Sequence, residues 1–338
     1  MNTIINAKVL AIYPAIILVL GLTGCAKRMD PDLLAMQNKP DWVSGQSVQF
    51  PEHLYLTGRG EAANREAASK NAWDDLLNRL QKESAAQLPA SGASLKSSIT
   101  DLMNHGNFKD TGYIAASWFN PVSDTHFELA VLDRLQAGKI LTDEIYILDS
   151  QIQRTLDKAK TEADSLQRIA FARLAINKIE SRQDYALILR VIKPTAVIKK
   201  TDWDIAKIQG YIDEYIASTS IMPVTSESSD KSGLLSALSS GIRRAGFNVV
   251  SGQKPDYILK ASVERKDITW KDGIFTLHGK IVLELLDGSK QDQVRGTTSW
   301  PIEVSANERE GLPDKLTDAI TKINGDRLKQ AFIDFQLN

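Results

Sequence analysis

Apolar and polar positions change period several times along the chain, and those changes divide it. Leu54-Tyr55-Leu56 begins an apolar strand that runs into Gly58-Arg59-Gly60, read as a glycine turn. Asn64 is placed to cap a helix extending to about Lys82, with Ala72, Leu76 and Leu80 on one stripe and Trp73 and Leu77 beside it. After a loop over Ser84–Ser98 comes a short helix near Ile99–Met103. Two strands are then predicted, Tyr113–Phe119 and His126–Asp133, joined through Asn120–Asp124. In the second strand Phe127, Leu129 and Val131 alternate. Trp42, upstream, is large enough to need cover and is expected over the edge of this unit.

From 135 to 217 the period becomes helical. Leu141, Ile145, Leu148, Ile152, Leu156 and Ala159 step by three and four, as do Ile169, Ala172, Ile176 and Ile179, and later Ile205, Ile208, Ile212 and Tyr215. A shorter helix, Asp184–Ile192, is expected to end before Pro194, and Thr201 with Asp204 resembles a capping box. The spacing predicts helical hairpins, read either as a partner-binding surface or as a spacer whose apolar faces cover each other. Beyond 218 the pattern reads strand (Ser220–Thr225), helix from an Asp230 cap to Ala245, stop at Gly246, and strand Phe247–Val250. Strands Tyr257–Val263, Phe275–Leu286 and Val294–Ile302 follow, and a closing helix carries Leu316, Ile320, Ile323, Leu328, Ala331 and Phe335.

The start of the chain follows a different rule. Lys8 opens it without an acid nearby, Val9–Leu20 is apolar but short for a membrane span and interrupted by Pro14, and Leu22-Thr23-Gly24-Cys25 closes it. This resembles the lipobox of bacterial lipoproteins. The resemblance implies cleavage before Cys25 and acylation of its thiol and new N-terminus, an anchor well beyond the marginal hold of one acyl chain. Residue 26 is Ala rather than Asp, which in such lipoproteins implies the outer membrane, facing the periplasm. The expected order is therefore a signal peptide (1–24), a lipidated tether (25–39), an α+β domain (40–134), a helical section (135–217) and a second α+β domain (218–338). The fold class is α+β, two small α+β domains flanking a helical middle.

With 43% hydrophobic and 25% charged residues the chain is globular rather than disordered, and a formal charge of −1 gives no argument for nucleic acid as a partner. Cys25 is the one cysteine, so no disulfide can form within the chain and cysteine-based catalysis or metal ligation is excluded once that thiol is acylated. The four histidines, His53, His105, His126 and His278, show no metal-ligand spacing. Gly58-x-Gly60 lacks the third glycine and the Lys-Ser/Thr of a phosphate loop, and Glu61 would repel a phosphate. No nucleophile motif occurs, so no catalytic residue, cofactor site or metal site is expected. Lys199-Lys200 and Arg243-Arg244 are candidates for acidic groups, although Arg243-Arg244 also suits a helix C-terminus. Trp270 and Trp300 are candidates for an exposed surface, against the alternative of burial under the closing helix.

Pro40-Asp41-Trp42, Tyr55-Leu56-Thr57-Gly58-Arg59-Gly60-Glu61-Ala62, Glu66-Ala67, Ala72, Leu76-Leu77 and Asp133-Arg134 together resemble the LPP-twenty lipoprotein family. That resemblance covers about 95 positions and implies an outer-membrane lipoprotein of a family largely without known enzymatic activity, in some members tied to flagellar basal structures. Residues 218–338 are similar in element order to periplasmic domains of lipoproteins that activate penicillin-binding proteins and to the N-terminal domain of the Tol-system propeller protein. The expectation is a non-enzymatic scaffold or adaptor, held to the outer membrane by its N-terminal lipid and engaging an envelope protein. The alternatives are a regulator of a peptidoglycan synthase and an envelope hydrolase using an acidic pair.

Overall fold

The computed structural model describes residues 39–335, apart from 88–91, 105, 226–230, 253, 291–292 and 323–324. Cys25, His105, Asp230 and Ile323 lie outside the described residues. The fold is α+β, with a three-stranded sheet near the start and a five-stranded sheet near the end.

The first sheet holds β1 (Tyr55–Ala62), β2 (Gly112–Asn120) and β3 (Thr125–Asp133) in the order β1-β3-β2, all antiparallel. Helix α1 (Asp41–Ser44) precedes it; α2 (Arg65–Ala85) and α3 (Gly92–Asn104) lie between β1 and β2. Leu56, Ala130 and Leu132 pack beneath Ala72, Leu76 and Leu80 of α2, while Trp42, Val43 and Phe50 cover Leu129 and Val131. Trp42 is thus buried, as its size demands. Asn64 caps α2, its side chain accepting from the Ala67 amide at 2.8 Å. The expected turn at Gly58–Gly60 is instead strand. A Cβ on either residue would stand under 3.0 Å from backbone atoms of α2, so the two glycines let the helix lie directly on β1.

Two long helices follow, α4 (Arg134–Thr161) and α5 (Ser165–Ile192), packed as a hairpin. Their ends near Ala137, Leu141 and Ile188–Ile192 join the core of the first sheet; Ile152 and Leu166–Ile179 join the core of the second. Asp133 caps α4 and Asp164 caps α5. The separate helix expected at Asp184–Ile192 is the last third of α5. Two buried polar residues disguise its continuity: Arg182 bonds Asp149 of α4, and Asp184 accepts from Ser98 of α3 at 2.7 Å. Helix α6 (Ile205–Ser218) is capped by Asp204 alone, which accepts from the amides of Ala206 and Lys207. Thr201 takes no part in that cap.

The second sheet runs β5-β4-β6-β7-β8, with β4 (Ser220–Thr225) parallel to β5 (Asn248–Val249) and to β6 (Tyr257–Lys271). Strands β6, β7 (Ile274–Asp287) and β8 (Val294–Ala306) form the expected meander, but each is longer than its apolar run. The far end of β6 alternates too weakly to announce a strand because its residues from Glu264 onward are exposed on both faces. It is closed by Asp272 and Gly273, both at positive φ, which suits the twist of a hairpin. Helix α7 (Lys231–Arg244) ends where Gly246 takes φ +93°. The closing helix is two: α8 (Leu312–Thr321) buries Leu316 and Ile320 and packs on β7 and β8, whereas α9 (Gly325–Asp334) buries Leu328 and Phe332 and packs on α5 and α7.

Candidate functional site

Helices α4 and α6 both pack on α5 and hardly touch each other. Between them runs a groove in two connected parts that meet at Trp203. The wider part, 960 Å³, lies between Tyr146–Arg154 of α4 and the segment Lys199–Trp203. The narrower part, 460 Å³, has Leu156 and Ala159 of α4, Ala172 of α5 and Ile208 of α6 as its floor, with Trp203, Tyr211 and Tyr215 as walls. Tyr146, Ile147 and Tyr211 stand exposed at its rim. Trp203 is braced from behind by Arg182, whose guanidinium lies 5.7 Å from the ring and also donates to the Lys199 carbonyl at 2.8 Å. Arg168 covers the Tyr215 ring at 5.2 Å.

A second cleft, 550 Å³ and more polar, opens where α5 begins and the second sheet ends. Asp164, Asp256 and Asp287 line it, the residue type an acid–base pair would use. Each carboxylate is already engaged. Asp164 caps α5 and accepts from Tyr257 at 2.5 Å and Arg295 at 2.8 Å. Asp256 accepts from the amide and hydroxyl of Ser220, both at 2.7 Å. Asp287 accepts from the hydroxyl and amide of Ser289, from Lys290 and from Arg295, contacts that hold it down to about 2. A general acid needs the opposite shift. The cleft is a hydrogen-bonded latch between the helical hairpin and the sheet.

The other candidates scatter. His53 is exposed, His126 lies against Phe119, and His278 faces Glu303 across β7 and β8 at 3.6 Å. Among the described residues no three His, Cys, Asp or Glu side chains stand close enough to hold a metal ion. Lys199 of the first basic doublet lines the groove. Arg243-Arg244 sits at the end of α7, where Arg244 bonds the Thr321 carbonyl and so ties α7 to α8. Trp300 is buried beneath Arg327 at 4.7 Å, whereas Trp270 is 67% exposed on the β6–β7 hairpin. Asp133 and Arg134 serve the fold: the first caps α4, and the second donates to the Val191 and Ile192 carbonyls at the end of α5. Trp203 and Tyr211 were missed, and the floor residues Leu156, Ala159, Ala172 and Ile208 were read only as steps of a helical period. Tyr215 was visible only as a step in a helical period.

No helix among the described residues is long and apolar enough to cross a membrane. No family model matches the chain, and neither does any curated protein. The LPP-twenty resemblance therefore gains no family match. Among solved structures, the secreted protein HP1454 of Helicobacter pylori aligns over 80% of this chain and 97% of its own, at 15% identity and a TM-score of 0.42. A minor lipoprotein of Acinetobacter baumannii aligns over 34% of this chain and 92% of its own, at 11% identity and a TM-score of 0.28. Lipoprotein GNA1162 of Neisseria meningitidis aligns over 33% and 99%, at 14% identity and a TM-score of 0.23. These similar proteins are secreted or lipoprotein products, and likenesses this distant carry no activity over to this chain.

Proposed function

We propose that the protein is a non-enzymatic scaffold or adaptor of the cell envelope. In this reading Cys25 carries the lipid that holds it at the outer membrane, facing the periplasm, and the groove between α4 and α6 receives a protein partner. The observation that supports docking is the groove itself. Two helices share a third without closing on each other, and the rings of Tyr146 and Tyr211 stand exposed at the opening. Exposed aromatic anchors over an apolar floor are the usual make-up of a binding face.

Leu22-Thr23-Gly24-Cys25, closing an apolar leader, supports the location. Cys25→Ala in the native host tests it: the protein should leave the membrane fraction for a soluble or unprocessed pool. Unchanged fractionation would remove the anchored-scaffold reading.

A further inference from the structure

We infer that the groove seats an acidic amphipathic helix of a partner protein. The adaptor reading above supplies the context, and the groove's shape and charge supply the argument. Among the described residues α4 and α6 both lie on α5 and make little contact with each other, which leaves the face of α5 between them open as a groove. The opening runs along α4 from Tyr146 to Lys160, about 21 Å at 1.5 Å per residue. A helix of four turns fits that length. Its floor of Leu156, Ala159, Ala172 and Ile208 is aliphatic and small, suited to the apolar stripe of a helix.

The rim decides the charge of the occupant. Five cations line the two parts of the groove: Arg154, Lys160, Arg168, Lys199 and Lys207. Against them stand three carboxylates, of which two are engaged. Asp149 holds Arg182 at 2.5 Å, and Asp204 accepts the first amides of α6 at 3.0 and 3.2 Å. Asp149 is neutralised by Arg182, so Asp202 and Asp204 face the five cations of the described lining. In a chain whose formal charge is −1, this is a local basic excess, and it fits Glu or Asp side chains flanking the partner's apolar face. A glycan is less well served, because the floor offers aliphatic carbon rather than hydrogen-bonding groups.

The test uses the full chain in detergent micelles and two fluorescein-labelled synthetic helical peptides of about 18 residues, long enough to span the groove. Both carry Leu on one face; one has Glu on the other face, the second has Lys there. Anisotropy should show binding of the Glu peptide, weakening as salt rises, and binding of the Lys peptide at least about tenfold weaker. Lys207→Glu and, separately, Tyr211→Ser change exposed side chains, so both variants should keep the native circular dichroism while weakening the Glu peptide about tenfold or more. Absent binding of the Glu peptide overturns the inference, as does equal binding of the two peptides or indifference to both substitutions. Soluble disaccharide-peptide fragments of cell wall, added alone, should not bind; if they bind in place of the Glu peptide, the groove belongs to a glycan. None of these outcomes depends on the fractionation of Cys25→Ala, so the anchor and the occupant stand or fall separately.

Discussion

The Tyr257 hydroxyl donates to the Asp164 carboxylate at 2.5 Å, joining the second sheet to the cap of α5 across 93 positions of sequence. The ring is buried, and the Asp164 carboxylate beside it would repel a phenolate. Burial first, then the bond to Asp164, raises the Tyr257 pKa above its ordinary value. A raised value means that the protonated phenol is the form that stabilises the fold. Its contribution is complete below the unfolded pKa of about 10 and disappears as pH rises through the folded value. Tyr257→Phe should cost about 2 kcal/mol at neutral pH by deleting a charge-assisted bond. Urea melts from about pH 8 to about pH 11 should show the wild type losing part of this advantage over the Phe variant. Parallel loss in both proteins would show that the bond is not coupled to ionisation.

Asp287, in the same latch, works at the other end of the scale. Its carboxylate accepts from Ser289, Lys290 and Arg295 and titrates at about 2. A depressed value means stability that is present above the unfolded carboxylate pKa of about 4 and lost as pH falls to the folded value. Asp287→Asn should lower the thermal midpoint at pH 7 and should flatten the acid side of the stability curve between about pH 4 and about pH 2. Retention of the full acid slope in the Asn variant would assign that slope to other groups.

The helices were readable where one apolar stripe met one neighbour. Ala72, Leu76 and Leu80 repeat with the helical period because one stripe of α2 faces the sheet core of Leu56, Ala130 and Leu132. The reading failed where polar side chains are buried: Arg182 and Asp184 interrupt the apolar period of α5, and bonds to Asp149 of α4 and Ser98 of α3 satisfy them inside the fold while the helix runs on. It failed again at Gly58 and Gly60, since a glycine needed for close approach looks the same in sequence as one needed for a turn. The groove had no local signal. It depends on α4 and α6 sharing α5, and Trp203 stands in a connection where no periodicity marks it.

Close approach at β1 makes a sharp prediction. A methyl on Gly58 would press into Ala72 and Leu76, and one on Gly60 into Ala68 and Ala72, in each case against backbone that cannot rotate away. Gly58→Ala and Gly60→Ala should each destabilise the fold by about 3 kcal/mol or more, the upper range for overpacking. Gly210→Ala on the exposed face of α6 meets nothing within 4 Å and should instead stabilise by about 1 kcal/mol through helix propensity. Urea denaturation of the three variants checks both signs. Tolerance at Gly58 and Gly60 would return those residues to the role of a turn.

Arg182 connects stability to the groove. Its guanidinium is buried between Asp149, the Lys199 carbonyl and the Trp203 ring, so it holds α4, α5 and the groove wall together. Asp149→Ala removes its charged partner and leaves a buried cation, a change that typically costs about 3–5 kcal/mol. Asp149→Leu with Arg182→Met removes both charges and refills the space, and should recover most of that loss. The double variant should still bind the acidic peptide more weakly, because nothing then braces Trp203 at the groove or fixes the Lys199 carbonyl beside it. Urea melts measure the first effect and peptide anisotropy the second. If the double variant is as unstable as Asp149→Ala, the cost lies in packing rather than charge; if it binds peptide like the wild type, Arg182 is a support of the helices alone.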